Sequence, residues 1–536
     1  MNLKRPEVRV IPYMWLASAL FTAGGVLASG LRFSSPMAIA IAWVETFLLI
    51  ALVGGFRSLL RPWLSLLVLL SGAGAILLRQ YGIEFSPSIF ETLLTTNPDE
   101  TRSFVSKELV ALWLAYTLIP LGALLWFKPF GGWELSLRSR PSGRVFAEVF
   151  VSALLVVGVL QGTRQWNLPE ASRAQKKEVN RFALPLGILV QGVDFWRDRS
   201  NYEMIPLKDR VRVEELGGFV AQQGKTPAQP HWVVLIIGES QRGDHLSING
   251  YGRPTTPQMD QIPHVVTYTD VTSCSARTVF SVSCLLSHRG IEKFDLPVRE
   301  TSLVSVMKSL GYETYFVSQH LKKGLQNCME ADHCLMGSDL QRVTPQSGAG
   351  ETDFRLLDYW DQTFSAAQSV QKNRFVILHA MGSHFNYHER FPREGWTPPF
   401  TPYCQDPIYR CKTDELINAY DNSLAYFDEF FMALVKRLSG QRAMLLFTSD
   451  HGESLGEGGV FTHGKPNFLA PKEQRHVPLV FWASDLLVQE QRLQSEFKRR
   501  VRSEPMTHDA VFQSILGCLG VRSSLFPKYP QSICQI

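Results

Sequence analysis

His231-Trp-Val-Val-Leu-Ile-Ile-Gly238-Glu239 is a continuous apolar run that ends in a glycine and a carboxylate. Such a run predicts a strand buried on both faces of a parallel sheet. The same form recurs in Ala443-Met-Leu-Leu-Phe-Thr-Ser-Asp450-His451. Open α/β sheets bind ligands at the carboxyl ends of their strands. We therefore expect Glu239, Asp450 and His451 to meet at one edge of such a sheet.

These strand-end residues combine carboxylate and imidazole groups, which are suitable ligands for Zn²⁺. The adjacent Asp450 and His451 can both reach one ion if the strand end turns sharply. Each residue alone is a weak signal, because a carboxylate after a strand also caps helices. The pattern leaves a metal site and ordinary capping as alternatives of about equal weight.

A candidate source of a nucleophile is the segment Thr272-Ser-Cys274-Ser-Ala-Arg-Thr278-Val-Phe-Ser-Val-Ser-Cys284, which contains six hydroxyl residues. Metal coordination lowers the pKa of a hydroxyl and fixes it for attack on phosphorus. A disulfide between Cys274 and Cys284 would stiffen this loop. Capping and turn formation explain any single hydroxyl equally well, so the residues alone do not select one.

The cysteines indicate an oxidising compartment. All eight follow residue 270, and the first six form three close pairs, as in small loops closed by disulfides. The CxxC spacing of structural zinc sites is absent. The predicted pairs, the last by elimination, are Cys274 with Cys284, Cys328 with Cys334, Cys404 with Cys411, and Cys518 with Cys534.

The first part of the chain reads as a membrane domain. Five segments have about the 17 to 25 apolar residues that a helix needs to cross a bilayer, namely 11–30, 36–55, 62–78, 109–127 and 146–162. Basic residues gather before the first segment and in alternate loops, which places those loops in the cytoplasm. An odd number of spans then puts the remainder outside, in agreement with the cysteines.

Three parts follow from this division: a membrane domain (1–162), interfacial helices with a linker (163–230), and a catalytic domain (231–536). The formal net charge of +5 is small for 536 residues and is not gathered into one basic run. We therefore expect no nucleic-acid partner.

Several motifs occur in the order found in one family. They are Gly238-Glu239-Ser, Asn249-Gly-Tyr-Gly-Arg-Pro-Thr-Thr-Pro257, the Cys274–Cys284 loop, Met381-Gly-Ser-His384, Asn418-Ala-Tyr-Asp-Asn-Ser423, Ser449-Asp-His-Gly-Glu-Ser-Leu-Gly456, Thr462-His463-Gly and Arg475-His476-Val-Pro478. The chain thereby resembles the lipopolysaccharide phosphoethanolamine transferases of the alkaline phosphatase and sulfatase superfamily. The resemblance implies five transmembrane helices followed by a periplasmic α/β/α sandwich.

The resemblance also implies the site. One tightly bound zinc ion is expected on Glu239, Thr278, Asp450 and His451, with Thr278 carrying the covalent phosphoethanolamine. The substrate-binding positions implied by the family are His384, His463, His476, Thr96 and Glu100. His384 and His463 match positions that bind the phosphoryl group or a second divalent metal. Thr92 stands where the family suggests asparagine, a departure at the donor site.

The implied reaction moves phosphoethanolamine from phosphatidylethanolamine to lipopolysaccharide at the bacterial inner membrane, by a monomeric multi-pass protein, and releases diacylglycerol. Gly382-Ser-His-Phe-Asn-Tyr387 and the late Cys534 resemble the branch that modifies the Kdo sugar of the inner core. Lipid A phosphates and periplasmic glucan remain alternative acceptors. The added ammonium offsets an anionic group, which predicts weaker binding of cationic peptides such as polymyxin.

Other classes fit the residues less well. A sulfatase needs a C-x-P-x-R pattern, and Cys274-Ser-Ala-Arg277 lacks the proline and misplaces the arginine. A lipoteichoic acid synthase also has five spans, but the paired cysteines argue against it. An inactive member that acts as a membrane sensor or assembly partner would not need the intact ligand positions.

Overall fold

The structure is a computed structural model. It describes residues 7–30, 35–54, 59–80, 85–86, 89–90, 107–126, 128–130, 178–198, 205–221, 232–320, 325–345, 352–365, 372–406, 408–465, 467, 470–491, 497, 499–525 and 529–534.

The chain divides into two compact units, Met1–Arg199 and Ser200–Ile536. The predicted three-part division, with boundaries after residues 162 and 230, differs from these limits and stays a prediction. The predicted linker at 222–230 lies outside the described residues. Each unit is described by itself below.

The first unit is helical. Its helices are α1 (Val10–Ala28), α2 (Pro36–Gly54), α3 (Leu60–Gln80), α4 (Lys107–Trp126) and α5 (Leu186–Asp198), beside the short parallel strands β1 (Glu7–Arg9) and β2 (Lys128–Phe130). Within the described part, α1, α2 and α3 are long and apolar enough to cross a membrane. They agree with the first three predicted spans.

The predicted count of five spans is supported only in part. The fourth span falls in α4, whose apolar part Val110–Trp126 is shorter than the first three and contains Pro120. A proline is tolerated inside a membrane helix because neighbouring groups can satisfy the freed carbonyl. The fifth span, 146–162, lies outside the described residues.

The second unit is built on an eight-stranded sheet. The strands of the unit are β3 (Val220–Ala221), β4 (Trp232–Gly238), β5 (Val265–Tyr268), β6 (Val271–Thr272), β7 (Glu313–Ser318), β8 (His333–Met336), β9 (Arg374–His379), β10 (Ala443–Ser449), β11 (Ser454–Leu455), β12 (Phe461–Thr462), β13 (Leu479–Ala483), β14 (Val501–Arg502), β15 (Met506–Thr507) and β16 (Val521–Arg522). The order of strands in the sheet is β14-β5-β13-β10-β4-β9-β7-β8. The run from β10 to β8 is parallel, and β13 is antiparallel to both β10 and β5. The two strands quoted from the sequence, β4 and β10, lie side by side and are fully buried, as predicted.

Helices cover both faces of this sheet. They are α6 (Val213–Leu216), α7 (Thr278–Leu285), α8 (Gly290–Lys293), α9 (Leu303–Ser309), α10 (Ser338–Val343), α11 (Phe354–Phe364), α12 (Thr413–Leu438), α13 (Asp485–Gln491) and α14 (Asp509–Cys518). On one face, Leu446 of β10 shares a core with Phe512 of α14. On the other, the neighbouring Phe447 packs against Phe427 of α12, with ring centroids 4.8 Å apart. Adjacent strand residues point to opposite faces, so the unit is the predicted α/β/α sandwich.

Four disulfides connect the pairs predicted from the sequence: Cys274–Cys284, Cys328–Cys334, Cys404–Cys411 and Cys518–Cys534. The first joins cysteines ten positions apart and closes a loop that contains Thr278. It therefore holds the start of α7 in place.

Candidate active site

Two neighbouring strands bring three predicted ligands together. β4 and β10 are parallel and in register, with Gly238 opposite Ser449. The residues that follow, Glu239, Asp450 and His451, are completely buried. Nε2 of His451 lies 3.1 Å from Oε1 of Glu239 and 3.3 Å from Oδ2 of Asp450. The carboxyl edge of the sheet thus holds a compact carboxylate and imidazole cluster.

Thr278 is the first residue of α7 and faces this cluster. Its Oγ1 lies 3.2 Å from Oε2 of Glu239 and 3.2 Å from Nε2 of His451. Ser281, one turn later, donates instead to the main-chain carbonyl of Asp450. Of the hydroxyls in the loop, Thr278 is therefore the one whose oxygen meets both a carboxylate and an imidazole.

The donor set fits a zinc ion. Ligands placed about 2.0 Å from a tetrahedral ion are about 3.3 Å from each other, and the cluster distances run from 3.1 to 3.3 Å. Among the described residues, the buried Oδ2 of Asp450 has no hydrogen-bond partner. Nδ1 of His451 is 2.9 Å from the Gly452 carbonyl, so it donates there and Nε2 is the nitrogen that faces the other ligands.

The two buried carboxyl groups of the cluster have opposite pKa shifts. Burial, and then the charge of Glu239, raise the pKa of Asp450 well above its ordinary value. Burial alone would also raise the pKa of Glu239, but the neighbouring His451 holds it well below the usual range. A buried pair of this kind is stabilised by a cation between its members.

His463 and His384 stand beside the cluster. The His463 ring centroid is 4.1 Å from that of His451 and 6.0 Å from that of His384. Nδ1 of His463 contacts Oε2 of Glu453 at 2.8 Å, and Nδ1 of His384 contacts the Phe385 carbonyl at 2.7 Å. Nδ1 of each ring is therefore held by the protein.

His476, a further predicted substrate residue, makes its side-chain contacts outside the cluster. Nε2 of His476 is 2.7 Å from the Thr269 carbonyl, and Nδ1 is 3.8 Å from Asp244. These contacts tie His476 to Thr269, just before β6, and to Asp244. Thr96 and Glu100, predicted to bind the donor headgroup, lie outside the described residues.

Asp353 was not predicted from the sequence, although it holds the loop that carries His384. The Asp353 carboxylate accepts hydrogen bonds from the main-chain N–H groups of Met381 at 2.7 Å and Gly382 at 3.1 Å. Gly382 has a φ of +51°, and a Cβ there would lie 2.7 Å from the main chain of Glu239. The glycine is required by this close approach. A buried acid just before a helix gave no distinguishing signal.

His320 and His379 were also missed, although both reach the same edge of the sheet. Arg374-Phe-Val-Ile-Leu-His379 has the form of the two quoted strands, an apolar run with a polar end. Ring centroids of His320 and His379 are 4.2 Å apart, and Nε2 of His320 is 3.7 Å from Oε2 of Glu239. Applying the strand-end rule to every apolar run would have found His379.

Known proteins resemble the chain over nearly its full length. Residues 231–521 match the family model described as Sulfatase, and residues 43–199 match the model described as Phosphoethanolamine transferase EptA/EptB. The chain belongs to the sulfatase-type phosphoethanolamine transferases. The predicted family is thereby confirmed, as is the predicted enzyme class.

Relatives of this transferase include two curated Escherichia coli proteins. Phosphatidylethanolamine transferase Mcr-2 is 26% identical over 91% of this chain and 89% of its own length. Kdo(2)-lipid A phosphoethanolamine 7''-transferase of strain K12 is 27% identical over 91% of this chain and 88% of its own. The solved lipooligosaccharide phosphoethanolamine transferase A of Neisseria meningitidis shares the fold, with a TM-score of 0.76, 22% identity and 99% coverage of both chains.

Family membership also agrees with the predicted location. The apolar helices of this transferase lie in the bacterial inner membrane, and the catalytic domain is periplasmic. The four disulfides of the second unit fit this oxidising compartment.

Proposed function

We propose that the chain transfers phosphoethanolamine from phosphatidylethanolamine to lipopolysaccharide through a covalent ester on Thr278. The observation that carries this proposal is the position of Thr278 Oγ1, 3.2 Å from both Oε2 of Glu239 and Nε2 of His451. A hydroxyl held against a buried carboxylate and an imidazole is placed to lose its proton and attack. The relatives named as phosphoethanolamine transferases support the same reaction.

The reaction has two displacements at phosphorus. Thr278 Oγ1 attacks the phosphodiester, the bond from phosphorus to the glycerol oxygen breaks, and diacylglycerol leaves with a proton. An acceptor oxygen then attacks the threonine ester, and Thr278 leaves and regains a proton. His384 and His463 flank the cluster, where they can bind phosphoryl oxygens and exchange the protons.

Glu239, Thr278, Asp450 and His451 would hold the zinc ion. When bound, zinc lowers the pKa of the threonine hydroxyl and offsets charge on the phosphoryl oxygens. The unpartnered Oδ2 of Asp450 supports this assignment within the described residues. The chain's own contribution is orientation: the Gly452 carbonyl fixes the His451 ring, and Glu453 fixes the His463 ring.

Within lipopolysaccharide, we favour the Kdo sugar as acceptor on the residues that resemble that branch. The relatives do not decide which acceptor this chain uses. The relative named Kdo(2)-lipid A phosphoethanolamine 7''-transferase is 27% identical to the chain, and Mcr-2 is 26% identical. Lipid A phosphates and periplasmic glucan stay as alternatives. We also propose a monomer with five membrane spans, and Thr96 and Glu100 as contacts of the donor headgroup.

The decisive experiment compares Thr278→Ala with Ser283→Ala in cells. Ser283 lies on the same helix, is buried, and its hydroxyl has no hydrogen-bond partner in the described part of the chain. We expect Thr278→Ala to lower transfer at least about 10³-fold and Ser283→Ala to leave it unchanged. Mass spectrometry of lipopolysaccharide, lipid A and glucan measures the transfer and locates the added group.

Full transfer by a folded Thr278→Ala protein would refute the nucleophile. An unmodified lipopolysaccharide beside a modified glucan would instead correct the acceptor. Polymyxin susceptibility of the same cells tests the physiological consequence: overexpression should lower susceptibility if the added ammonium offsets an anionic group.

A further inference from the structure

The carboxyl edge of the sheet carries a second cluster of ligating side chains. β9 lies between β4 and β7, and all three strands are parallel. Glu239 follows β4, His379 is the last residue of β9, and His320 follows β7 by two residues. Their ligand atoms all lie within 4.8 Å of one another. The topology alone therefore gathers one carboxylate and two imidazoles from three adjacent strands.

One nitrogen in this cluster lacks a partner. His379 is completely buried, and in the described structure its Nε2 has no hydrogen-bond partner. Its Nδ1 lies 2.9 Å from Oγ of Ser318, which fixes the ring. An unpaired polar atom in a protein interior carries a desolvation cost, so a native example requires a physical cause.

A purely structural histidine in the same unit looks different. His508 is also buried, but its Nδ1 accepts the main-chain N–H of Cys274 at 3.1 Å and its Nε2 contacts the Ser449 carbonyl at 2.9 Å. Both ring nitrogens of His508 are satisfied by the protein. In the described structure, one ring nitrogen of His379 is held by the protein and the other has no hydrogen bond, as in a metal-binding histidine fixed by its opposite nitrogen.

Glu239 contacts residues of both clusters. Oε1 faces His451 at 3.1 Å and the Ser240 hydroxyl at 2.9 Å. Oε2 faces the Thr278 hydroxyl at 3.2 Å and Nε2 of His320 at 3.7 Å. The His320 ring stacks on that of His379 with an interplanar angle of 15°. A carboxylate so placed can bridge two cations, as in two-metal phosphoryl-transfer sites.

We propose that Glu239, His320 and His379 form a second zinc site at the ends of β4, β7 and β9. Two imidazoles with one carboxylate are a zinc donor set. The site differs from the pair His384 and His463 that the family resemblance offered for a second metal. Nε2 of His320 is also 3.0 Å from the Ala380 carbonyl, so zinc binding at this nitrogen requires the ring to turn away from that carbonyl and to carry its hydrogen on Nδ1. The proposal concerns cation binding alone and does not depend on the transfer reaction.

The test counts zinc in the purified full-length protein. The protein is stripped with a chelator, dialysed against a zinc buffer, and analysed for zinc and protein by mass spectrometry. We expect two ions per wild-type chain. His379→Gln and His320→Gln should each retain one ion, with affinity for the second at least about tenfold weaker. His333→Gln is the matched control, because His333 is half exposed and pairs with Glu313, and it should retain two.

Asp450→Asn is the reciprocal variant. It removes a ligand of the first zinc site only, so it should also retain one ion. The thermal midpoint in chelator shows whether each variant is folded. If His379→Gln fails to fold, His320→Gln, which lies at the partly exposed margin of the cluster, decides alone. A single ion in the wild type overturns the proposal. So does a second ion that persists in His320→Gln and disappears in His463→Gln.

Discussion

The catalytic unit contains two buried carboxylate clusters that are built in opposite ways. Glu330 is satisfied by the protein: Oε1 pairs with Arg210 at 3.2 Å, and Oε2 accepts hydrogen bonds from the main-chain N–H and hydroxyl of Ser302 and from Ser305. At the strand ends, Glu239 and Asp450 lie together, and in the described structure Oδ2 of Asp450 has no donor. A buried carboxylate whose oxygens are hydrogen-bonded by the protein points to architecture, and a buried carboxylate oxygen without a donor points to a ligand.

This contrast predicts that the Glu330 cluster stabilises the fold and takes no part in transfer. Glu330→Gln leaves Arg210 buried without its counter-charge, which should cost about 3 to 5 kcal/mol of stability. Transfer per folded molecule should not change. The measurements are the thermal midpoint of the detergent-solubilised chain and its activity below that temperature.

The matched control is Glu215→Gln, which breaks the exposed pair with Arg212 at 2.8 Å. An exposed pair contributes less than about 1 kcal/mol. If both variants lose the same stability, or if Glu330→Gln loses activity while folded, the assignment of the Glu330 cluster to architecture is wrong.

Asp353 is a third buried carboxyl group, next to the loop that carries His384. Its contribution to stability can be tested by changing the pH. Burial raises the pKa of Asp353 to about 6, although the N–H groups of Met381 and Gly382 oppose the shift. Because the folded pKa is the higher one, Asp353 contributes stability that is complete below about pH 4 and is lost as the pH rises through 6. The loss is at most roughly 3 kcal/mol.

Asp353→Asn removes this titration and keeps an oxygen that can accept both hydrogen bonds. Relative to the wild type, the variant should therefore become more stable as the pH rises from 4 to 7. Denaturation at several pH values measures the difference. A difference that stays constant over this range would contradict the assigned ionisation.

Asp450→Asn carries the smallest expected effect on the fold. In a chelator the variant should be at least as stable as the wild type, because it removes one of two opposed buried carboxylates. In zinc at about 100 times its dissociation constant, the wild type gains about 2.7 kcal/mol from the ion. The variant should lack the contribution of the first site. Lower stability in chelator would instead assign Asp450 a structural role like that of Glu330.

The buried strands and the disulfides could be predicted from the sequence because their signals are local. An apolar run that ends in Gly238-Glu239 fits a buried strand better than a helix, and close cysteine pairs leave few ways to connect them. The predicted count of five membrane spans agrees with the described structure for the first three helices. In the described residues, α4 has a shorter apolar part than the first three helices.

The site could be predicted only where chemistry and strand ends coincide. Glu239, Asp450 and His451 meet as expected, while the choice of Thr278 among six hydroxyls came from family resemblance. Its position at the start of α7 depends on how the helix packs, which spacing does not encode. Asp353 and His320 could not be predicted because their neighbours come from distant parts of the chain.

The placement of Glu239, with one oxygen toward His451 and the other toward His320, also has an evolutionary consequence. A substitution of Glu239 alters both clusters at once. A change in one cluster therefore cannot be compensated at Glu239 without disturbing the other cluster. His320 and His379 face no such restriction and are free to vary as a pair. Across homologues, these two positions should covary while the glutamate stays fixed.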